Sequence, residues 1–220
     1  MSEETKLEKP SLLGMIWSPT EQFERMRERP AIWGAMIVVM ILSAARSWLL
    51  SFGVEVPEIE GVPEDQLAGF EAFGQALAVI GGFVIPLITV FIVSLIYLLV
   101  AKMAQSNVAF KQLFALHTHI AFIGMFGMVL NGIVAVLVGG AEPGVLYTSL
   151  GSLIETEGAA ASVFDSLEVF SIWQLILTAL GLHKVAGFLK RLAWTVPIVF
   201  FVIGILMTMM GTSFNGMVGV

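Results

Sequence analysis

A chain of 220 residues that is 57% hydrophobic and only 13% charged is too apolar for a water-soluble domain. Soluble domains carry roughly 45–50% apolar and about 25% charged residues, so this composition indicates lipid as the solvent. The absence of cysteine excludes disulfides, thiolate metal sites and cysteine nucleophiles. The net charge of −6 is distributed very unevenly along the chain.

The N-terminal 30 residues are polar and charged and contain no apolar run, so they are not a secretory signal peptide. We predict a solvated tail over residues 1–15 and then a short amphipathic helix. This helix begins with a capping box at 18–21, with proline at its first position, and ends at Pro30. Since Phe23 and Met26 share one face, we expect the helix to lie on the inner membrane surface. The alternative is a solvated linker.

Five segments are apolar over about the 20 residues that a helix needs to cross a bilayer. Because lipid cannot hydrogen-bond to open backbone groups, all five are predicted to be helices. The predicted fold class is therefore all-α, a polytopic membrane helical bundle over 31–212. A cytoplasmic tail over 1–30 precedes it and an outer tail over 213–220 follows. The predicted spans are about 31–54, 75–101, 113–138, 169–189 and 192–210.

The distribution of lysine and arginine predicts the orientation of the chain. Ten of the eleven basic residues precede the first span, lie between the second and third, or close the fourth. The loops over 55–74 and 139–168 contain no basic residue and eleven acids. By the positive-inside rule, we predict a cytoplasmic N-terminus and an extracellular C-terminus.

The second acidic loop is longer than a simple turn. From Val145 to Ile154 its apolar residues recur at helical spacing, which predicts a short re-entrant or surface helix on the outer face. Gly158 is expected to break this pattern, and Ala159 to begin a helix that runs into the fourth span.

Apart from Lys184, which closes the fourth span, Arg46 is the one ionised residue within a predicted span. At about 1.5 Å per residue from Ala31, it lies about 22 Å along the helix, in the outer half of the membrane. From there its side chain can extend to the outer headgroups or pair with an acid such as Glu55 or Glu71. The functional alternative is a counter-charge for a substrate or ion.

The histidines do not form a metal site in this pattern. His117 and His119 point about 200° apart on a helix, so they cannot bind one ion together. Both lie near the predicted cytoplasmic end of the third span, and His183 lies similarly on the fourth. We expect these side chains to donate to backbone carbonyls or to lipid phosphate.

Two further residues interrupt the apolar spans. Pro86 follows two glycines in the second span, so we predict a kink or broken turn there. A packing kink is the commoner cause, although transporters expose backbone polar groups at broken helices. Asn131 in the third span is expected to bridge helices rather than to bind substrate. The small pair Ala78 and Gly82 permits a close helix contact.

No known catalytic motif is present in the sequence. It contains no HExxH, P-loop or GxSxG pattern, and no pair of intramembrane aspartates. We therefore predict a protein that is not an enzyme and that has no cofactor.

Two stretches of the chain resemble the Yip1 family of small multi-span membrane proteins, in its bacterial branch. The first is GMIWSPTEQFERMRERP, over 14–30, before the first span. The second and more specific one is VFSIWQLILTALGLHKV, over 169–185, which is similar to the family signature at the fourth span. It contains Trp173, His183 and Lys184. The five-span layout agrees, so the resemblance extends over essentially the whole chain.

The resemblance implies a non-catalytic protein of the bacterial plasma membrane. Eukaryotic members act in vesicle trafficking and bind small GTPases or their carriers. In bacilli, a similar member accompanies an ABC-type exporter that protects against a secreted peptide toxin. We therefore expect an accessory or scaffold protein whose partners are the lipid bilayer and other membrane proteins, such as ABC transporter subunits. No nucleic-acid partner is predicted, and a homo-oligomer is left open.

Two alternatives remain at this point. Pro86, Arg46 and Asn131 motivate a stand-alone channel or small-solute carrier. A third hypothesis is a toxin-immunity protein whose acidic outer face attracts cationic peptides.

Overall fold

A computed structural model describes residues 8–51, 63–138, 146–154, 156 and 158–218. Within these ranges the chain forms helices, turns and loops but no β-strand, and one isolated antiparallel bridge pairs Ser149 with Glu168. In chain order the helices are α1 (Gly14–Trp17), α2 (Pro19–Glu28), α3 (Trp33–Ser51), α4 (Glu64–Met103), α5 (Phe110–Val138), a 3-10 turn (Leu150–Leu153), α6 (Gly158–Ser166), α7 (Val169–Lys184) and α8 (Lys190–Val218).

Several of these helices are apolar enough to lie in a membrane. By length and composition, α4, α5 and α8 can each cross a bilayer, and α3 and α7 are shorter apolar helices. At about 1.5 Å per residue, the 19 residues of α3 extend about 28 Å and the 16 residues of α7 about 24 Å. The described chain is therefore a membrane helical bundle, as predicted, while the number of spans stays a prediction.

The central helix of the bundle is α5. Of its most apolar stretch, 61% is buried inside the protein, compared with 17% for α4 and 11% for α8. Helices α3, α4 and α7 pack against α5, and α1 and α2 cover its first turns. The fully buried large side chains gather around those turns: Met15, Phe23, Met26, Leu113, Leu116, Leu177 and Leu182.

One end of the bundle carries most of the basic residues, and we call it the basic end. There the side chain of Ser106, between α4 and α5, donates to the carbonyl of Ala186, between α7 and α8. Gln112 Nε2 donates to the Arg27 carbonyl at 2.6 Å, which holds the end of α2 against the start of α5. These contacts bring together three segments that the sequence separates widely.

The N-terminal segment differs from the prediction in three respects. Helix α2 starts at Pro19, but the predicted capping box does not form. The Ser18 hydroxyl instead donates to the Gly14 carbonyl at 3.5 Å, and Glu21 pairs with Arg25 at 2.6 Å. The apolar face of α2 rests on protein rather than on lipid, since Phe23 and Met26 are fully buried in the core. The predicted solvated tail does not extend to residue 15, because α1 packs on the bundle and Met15 is fully buried.

Helix α4 continues through Pro86, so the helix is not broken there, and the kink stays a prediction. Proline removes one backbone donor, and a helix packed against neighbours tolerates that loss. One turn earlier, a Cβ atom placed on Gly82 would lie 2.9 Å from the Cα atom of Ala44. Helices α3 and α4 therefore approach each other to backbone contact at this small residue.

The opposite end of the bundle also departs from the prediction. The segment from 146 to 154 forms only a 3-10 turn, and Val145 lies outside the described residues. Helix α6 does not run into α7, because the Glu168 side chain accepts the Ser171 N–H at 2.7 Å and so caps a new helix. Helix α8 continues to Val218 rather than ending at 210, since α6 packs along its last turns. The predicted outer tail is therefore helical over 213–218.

Candidate functional site

A cavity of about 420 Å³ lies between α4, α5, α7 and α8. Its volume falls within the range of about 300–1,000 Å³ that is usual for small-molecule sites. Most of its wall is apolar, and α8 contributes Pro197, Phe200 and Phe201 to it. The polar residues that line it are Thr89, Tyr97, His117, Ser171, Gln174 and Thr178. None of the described lining residues is charged.

His117 on α5 is a polar centre of this cavity and is only 5% exposed. Its Nδ1 atom lies 3.3 Å from the hydroxyl of Ser94 on α4, and that hydroxyl is 2.6 Å from the Val90 carbonyl. Because a serine hydroxyl has one hydrogen, Ser94 donates it to Val90 and accepts from His117 Nδ1–H. The neutral ring therefore has an acceptor at Nε2, and Nε2 has no hydrogen-bond partner among the described residues.

Tyr97 on α4 forms an aromatic wall beside His117. The two ring centroids are 4.6 Å apart, and Phe200 of α8 meets Tyr97 edge-on at 5.3 Å. Tyr97 is buried, and within the described chain its phenolic hydroxyl makes no hydrogen bond. The hydroxyl oxygen is not among the fully enclosed side-chain atoms, so it keeps access to the space around it and can take a partner there.

Helix α7 supplies the facing polar side chains. The Thr178 hydroxyl donates to the backbone carbonyl of Gln174 at 2.7 Å, so its hydrogen is already used. The Gln174 side chain lies across α5 at Gly124, where a Cβ atom would come within 2.7 Å of its amide nitrogen. The carboxamide itself has no hydrogen-bond partner in the described parts of the chain. A donor and an acceptor thus remain free beside the cavity.

The sequence predicts that the histidines donate to backbone carbonyls or to lipid phosphate, and His119 and His183 do donate to backbone carbonyls. The lipid-phosphate alternative does not hold for His117 and His119. Both side chains are buried, because α5 is the central helix and the N-terminal segment covers its start. His119 Nδ1 donates to the Ala115 carbonyl at 2.8 Å, within its own helix, and His119 does not line the cavity. His117 is the one histidine of the sequence analysis that reaches the candidate site.

Of the signature residues at the fourth span, His183 and Lys184 lie at the basic end, whereas Trp173 lies one turn from the opposite end of α7. His183 Nδ1 donates to the Phe188 carbonyl at 2.8 Å, where the chain turns toward α8. Lys184 Nζ lies 3.0 Å from the Glu24 carboxylate and so joins α7 to α2. Trp173 packs against the core cluster and is not among the lining residues. These three side chains connect helices and do not form a site together.

Asn131 lies away from the cavity and joins α5 to the 146–154 segment. Its Nδ2 donates to the Thr148 hydroxyl at 2.8 Å, and the Thr148 N–H donates back to Oδ1 at 3.0 Å. The Thr148 hydroxyl in turn donates to Glu168 at 2.6 Å. This chain of hydrogen bonds ties three elements at the end of the bundle opposite the basic end.

Arg46 and Pro86 do not contribute to the cavity either. Arg46 is exposed on the surface of α3, and it forms no ion pair with Glu71 or any other described residue. Glu55, its other predicted partner, lies outside the described residues. The structure therefore does not bring Arg46, Pro86 and Asn131 together at one site.

The sequence analysis missed most of the cavity, although the sequence holds a signal for it. Ser171, Gln174 and Thr178 recur at spacings of three and four on an otherwise apolar helix. Such spacing places polar side chains on one face, and in a membrane helix that face is expected to point into the bundle. Ser94 and Tyr97 on α4 are likewise three residues apart, so these two polar side chains also share one face of an apolar helix.

The bundle of apolar helices defines a multi-pass integral membrane protein. The Yip1 domain matches residues 13–211. The chain is also 36% identical over 225 residues to "Membrane protein YknW" of Bacillus subtilis (strain 168), an alignment that covers 98% of this chain and 95% of that protein. No solved structure matches the chain. The chain belongs to the Yip1 family.

Proposed function

We propose that this protein is a non-enzymatic accessory protein of the bacterial plasma membrane that assists the assembly or function of a membrane complex. The observation that carries the proposal is the length and exposure of α4. Its 40 residues extend about 60 Å, twice the roughly 30 Å of a hydrocarbon core. Phe70 and Phe73 lie before the predicted start of the second span, and both are exposed. Because the helix is longer than the hydrocarbon core, exposed apolar side chains near its start favour contact with another protein.

The proposal includes five spans with the basic end in the cytoplasm. It is supported by the nine described basic residues that gather at that end, and by the acidic Glu168 at the other. Cytoplasmic loops carry the excess of lysine and arginine in membrane proteins. In this arrangement α1 and α2 form a cytoplasmic cap, and the C-terminus of α8 lies outside the cell.

We further propose that this membrane complex is an ABC-type exporter that protects the cell against a peptide toxin. This step rests on the family resemblance, because the Bacillus subtilis relative is named only as a membrane protein. The small-residue contact at Gly82 and the exposed faces of α4 and α8 support association between helices.

Affinity purification in a mild detergent tests the proposal. We expect stoichiometric transporter subunits to co-purify with the full chain. The double variant Phe70→Ser/Phe73→Ser should reduce their recovery, since it removes the apolar surface in question. Phe214→Ser, an exposed position near the end of α8, is the matched control. A monodisperse protein recovered without any partner would contradict the proposal.

The cavity is the observation that favours a stand-alone carrier as a second candidate. A carrier of a charged solute is disfavoured, because the described lining residues are uncharged and Arg46 lies elsewhere. Purified protein in liposomes would show solute flux if the carrier hypothesis holds. Vesicles as tight as protein-free controls would exclude it.

A further inference from the structure

We propose that the cavity between α4, α5, α7 and α8 binds a neutral, lipid-like alcohol, held through the unpaired polar groups of Tyr97, His117 and Gln174. The inference concerns a ligand and does not depend on the accessory function or on the identity of any partner protein. It follows from the hydrogen-bonding state of the three side chains and from the character of the remaining wall.

The first step is the direction of the hydrogen bonds. Ser94 fixes the hydrogen of His117 on Nδ1, so Nε2 can only accept. The Tyr97 hydroxyl and the Gln174 carboxamide can each donate or accept. A hydroxyl group on the ligand has one hydrogen to donate and lone pairs that accept, so it can pair with His117 Nε2 and with a donor from Tyr97 or Gln174.

The second step concerns charge. The described lining residues include no lysine, arginine, aspartate or glutamate that could pair with an ionised ligand. An ionised headgroup would lie against this largely apolar wall without an opposite charge, which disfavours fatty acids and amines as ligands. The ligand is therefore neutral.

The third step concerns the rest of the ligand. Val93, Ile120 and Leu175 line the cavity together with the two phenylalanines of α8. A volume of 420 Å³ is many times the roughly 30 Å³ that one water takes up in the liquid. Ordered water needs two to four polar partners. Water could pair with the three polar groups, but water molecules beside the apolar wall would lack such partners. An alkyl chain attached to the hydroxyl complements those walls.

Photolabelling of the full chain in phosphatidylcholine nanodiscs tests this inference. The probe is a medium-chain alkanol that carries a diazirine on its chain, and mass spectrometry maps the labelled peptides. We expect labelling of cavity-lining stretches of α4, α5, α7 and α8 that 1-octanol suppresses. Octane and octanoate should compete much less, because the first lacks the hydroxyl and the second is ionised.

Substitutions separate recognition from simple partitioning into lipid. Tyr97→Phe removes one oxygen atom, and we expect it to weaken competition by 1-octanol about five- to tenfold, the effect of one hydrogen bond. Tyr147→Phe removes the same atom outside the cavity and should leave competition unchanged. Ala121→Phe introduces a ring at a lining position, keeps all three polar groups, and should abolish protected labelling.

His117→Leu is expected to act like Tyr97→Phe, with His119→Leu as its control on the same helix. Should His117→Leu fail to fold, the octanol–octane comparison and Ala121→Phe still decide the question. The inference is overturned if octane competes as well as octanol, or if labelling covers the lipid-facing surfaces and no variant alters it. Equal loss in Tyr97→Phe and Tyr147→Phe would also overturn it.

Discussion

At the scale of single residues, Gly82 shows how tightly α3 and α4 approach each other. A Cβ atom there would lie 2.5 Å from Ser47 Oγ and 2.9 Å from both the Ala44 Cα atom and the Ser43 carbonyl oxygen. Two of these three neighbours are backbone atoms, which cannot rotate away. Even alanine is therefore too large for this position unless the helices separate.

We expect Gly82→Ala to destabilise the protein by about 1–3 kcal/mol, the usual cost of overpacking. Gly132→Ala on α5 is the control, since a Cβ atom there meets nothing within 4 Å. Thermal unfolding in detergent, followed by size-exclusion chromatography, measures both variants. A Gly82→Ala protein as stable as the control would show that the two helices do not touch here.

Glu168 is the second residue whose role rests on its contacts. It is buried, its carboxylate accepts the Ser171 N–H and hydroxyl at 2.7 and 3.1 Å, and it also accepts from Thr148. In Glu168→Gln, an NH2 group replaces one carboxylate oxygen. That group then faces an N–H or O–H donor and can no longer accept its hydrogen bond. We expect a loss of about 1–2 kcal/mol in stability from the weakened cap and network.

Asp165→Asn is the matched control, because Asp165 is an exposed side chain three residues earlier. Hydrogen exchange should show faster opening of the first turn of α7 in Glu168→Gln only. Unchanged exchange there would mean that the carboxylate does not cap the helix.

At the scale of elements, α2 behaves as a part of the core rather than as a membrane-surface helix. Its apolar residues pack on α5 and α7, while Lys184 and Glu24 add an ion pair at its exposed edge. An exposed ion pair contributes at most about 1 kcal/mol, so burial of the apolar face provides most of the attachment.

Phe23→Ala should therefore release α1 and α2 from the bundle. Truncating a buried phenylalanine costs about 3–5 kcal/mol, which is enough to populate a detached N-terminal segment. Limited proteolysis should cut the variant between residues 8 and 30 while the apolar helices stay intact. Trp17→Ala, at a 79% exposed position, should remain as resistant as the original protein.

At the scale of the whole molecule, the charge distribution predicts the orientation. The natural chain has no cysteine, so a single introduced cysteine reports its own location. With a membrane-impermeant maleimide on intact cells, we expect Glu71→Cys to react and Lys102→Cys and Lys190→Cys to react only after lysis. Labelling of Lys102→Cys from outside would reverse the orientation, and with it the cytoplasmic location of α1 and α2.

The sequence by itself determined the all-helical class and the positions of the apolar segments to within a few residues at several helix ends. It also indicated the family, through 14–30 and 169–185. Hydropathy and helical period are local properties, and lipid leaves the backbone little choice but a helix. Hydropathy misplaced the start of α4 and the end of α8, because both helices extend beyond the apolar segments of the sequence.

Only the tertiary structure decided which side chains meet. Ser94 and His117 are 23 residues apart, and Glu24 and Lys184 are 160 apart. No local pattern contains such pairs, because they depend on which helix faces pack together. For this reason the sequence alone placed neither His117 at the wall of a cavity nor Phe23 in the core.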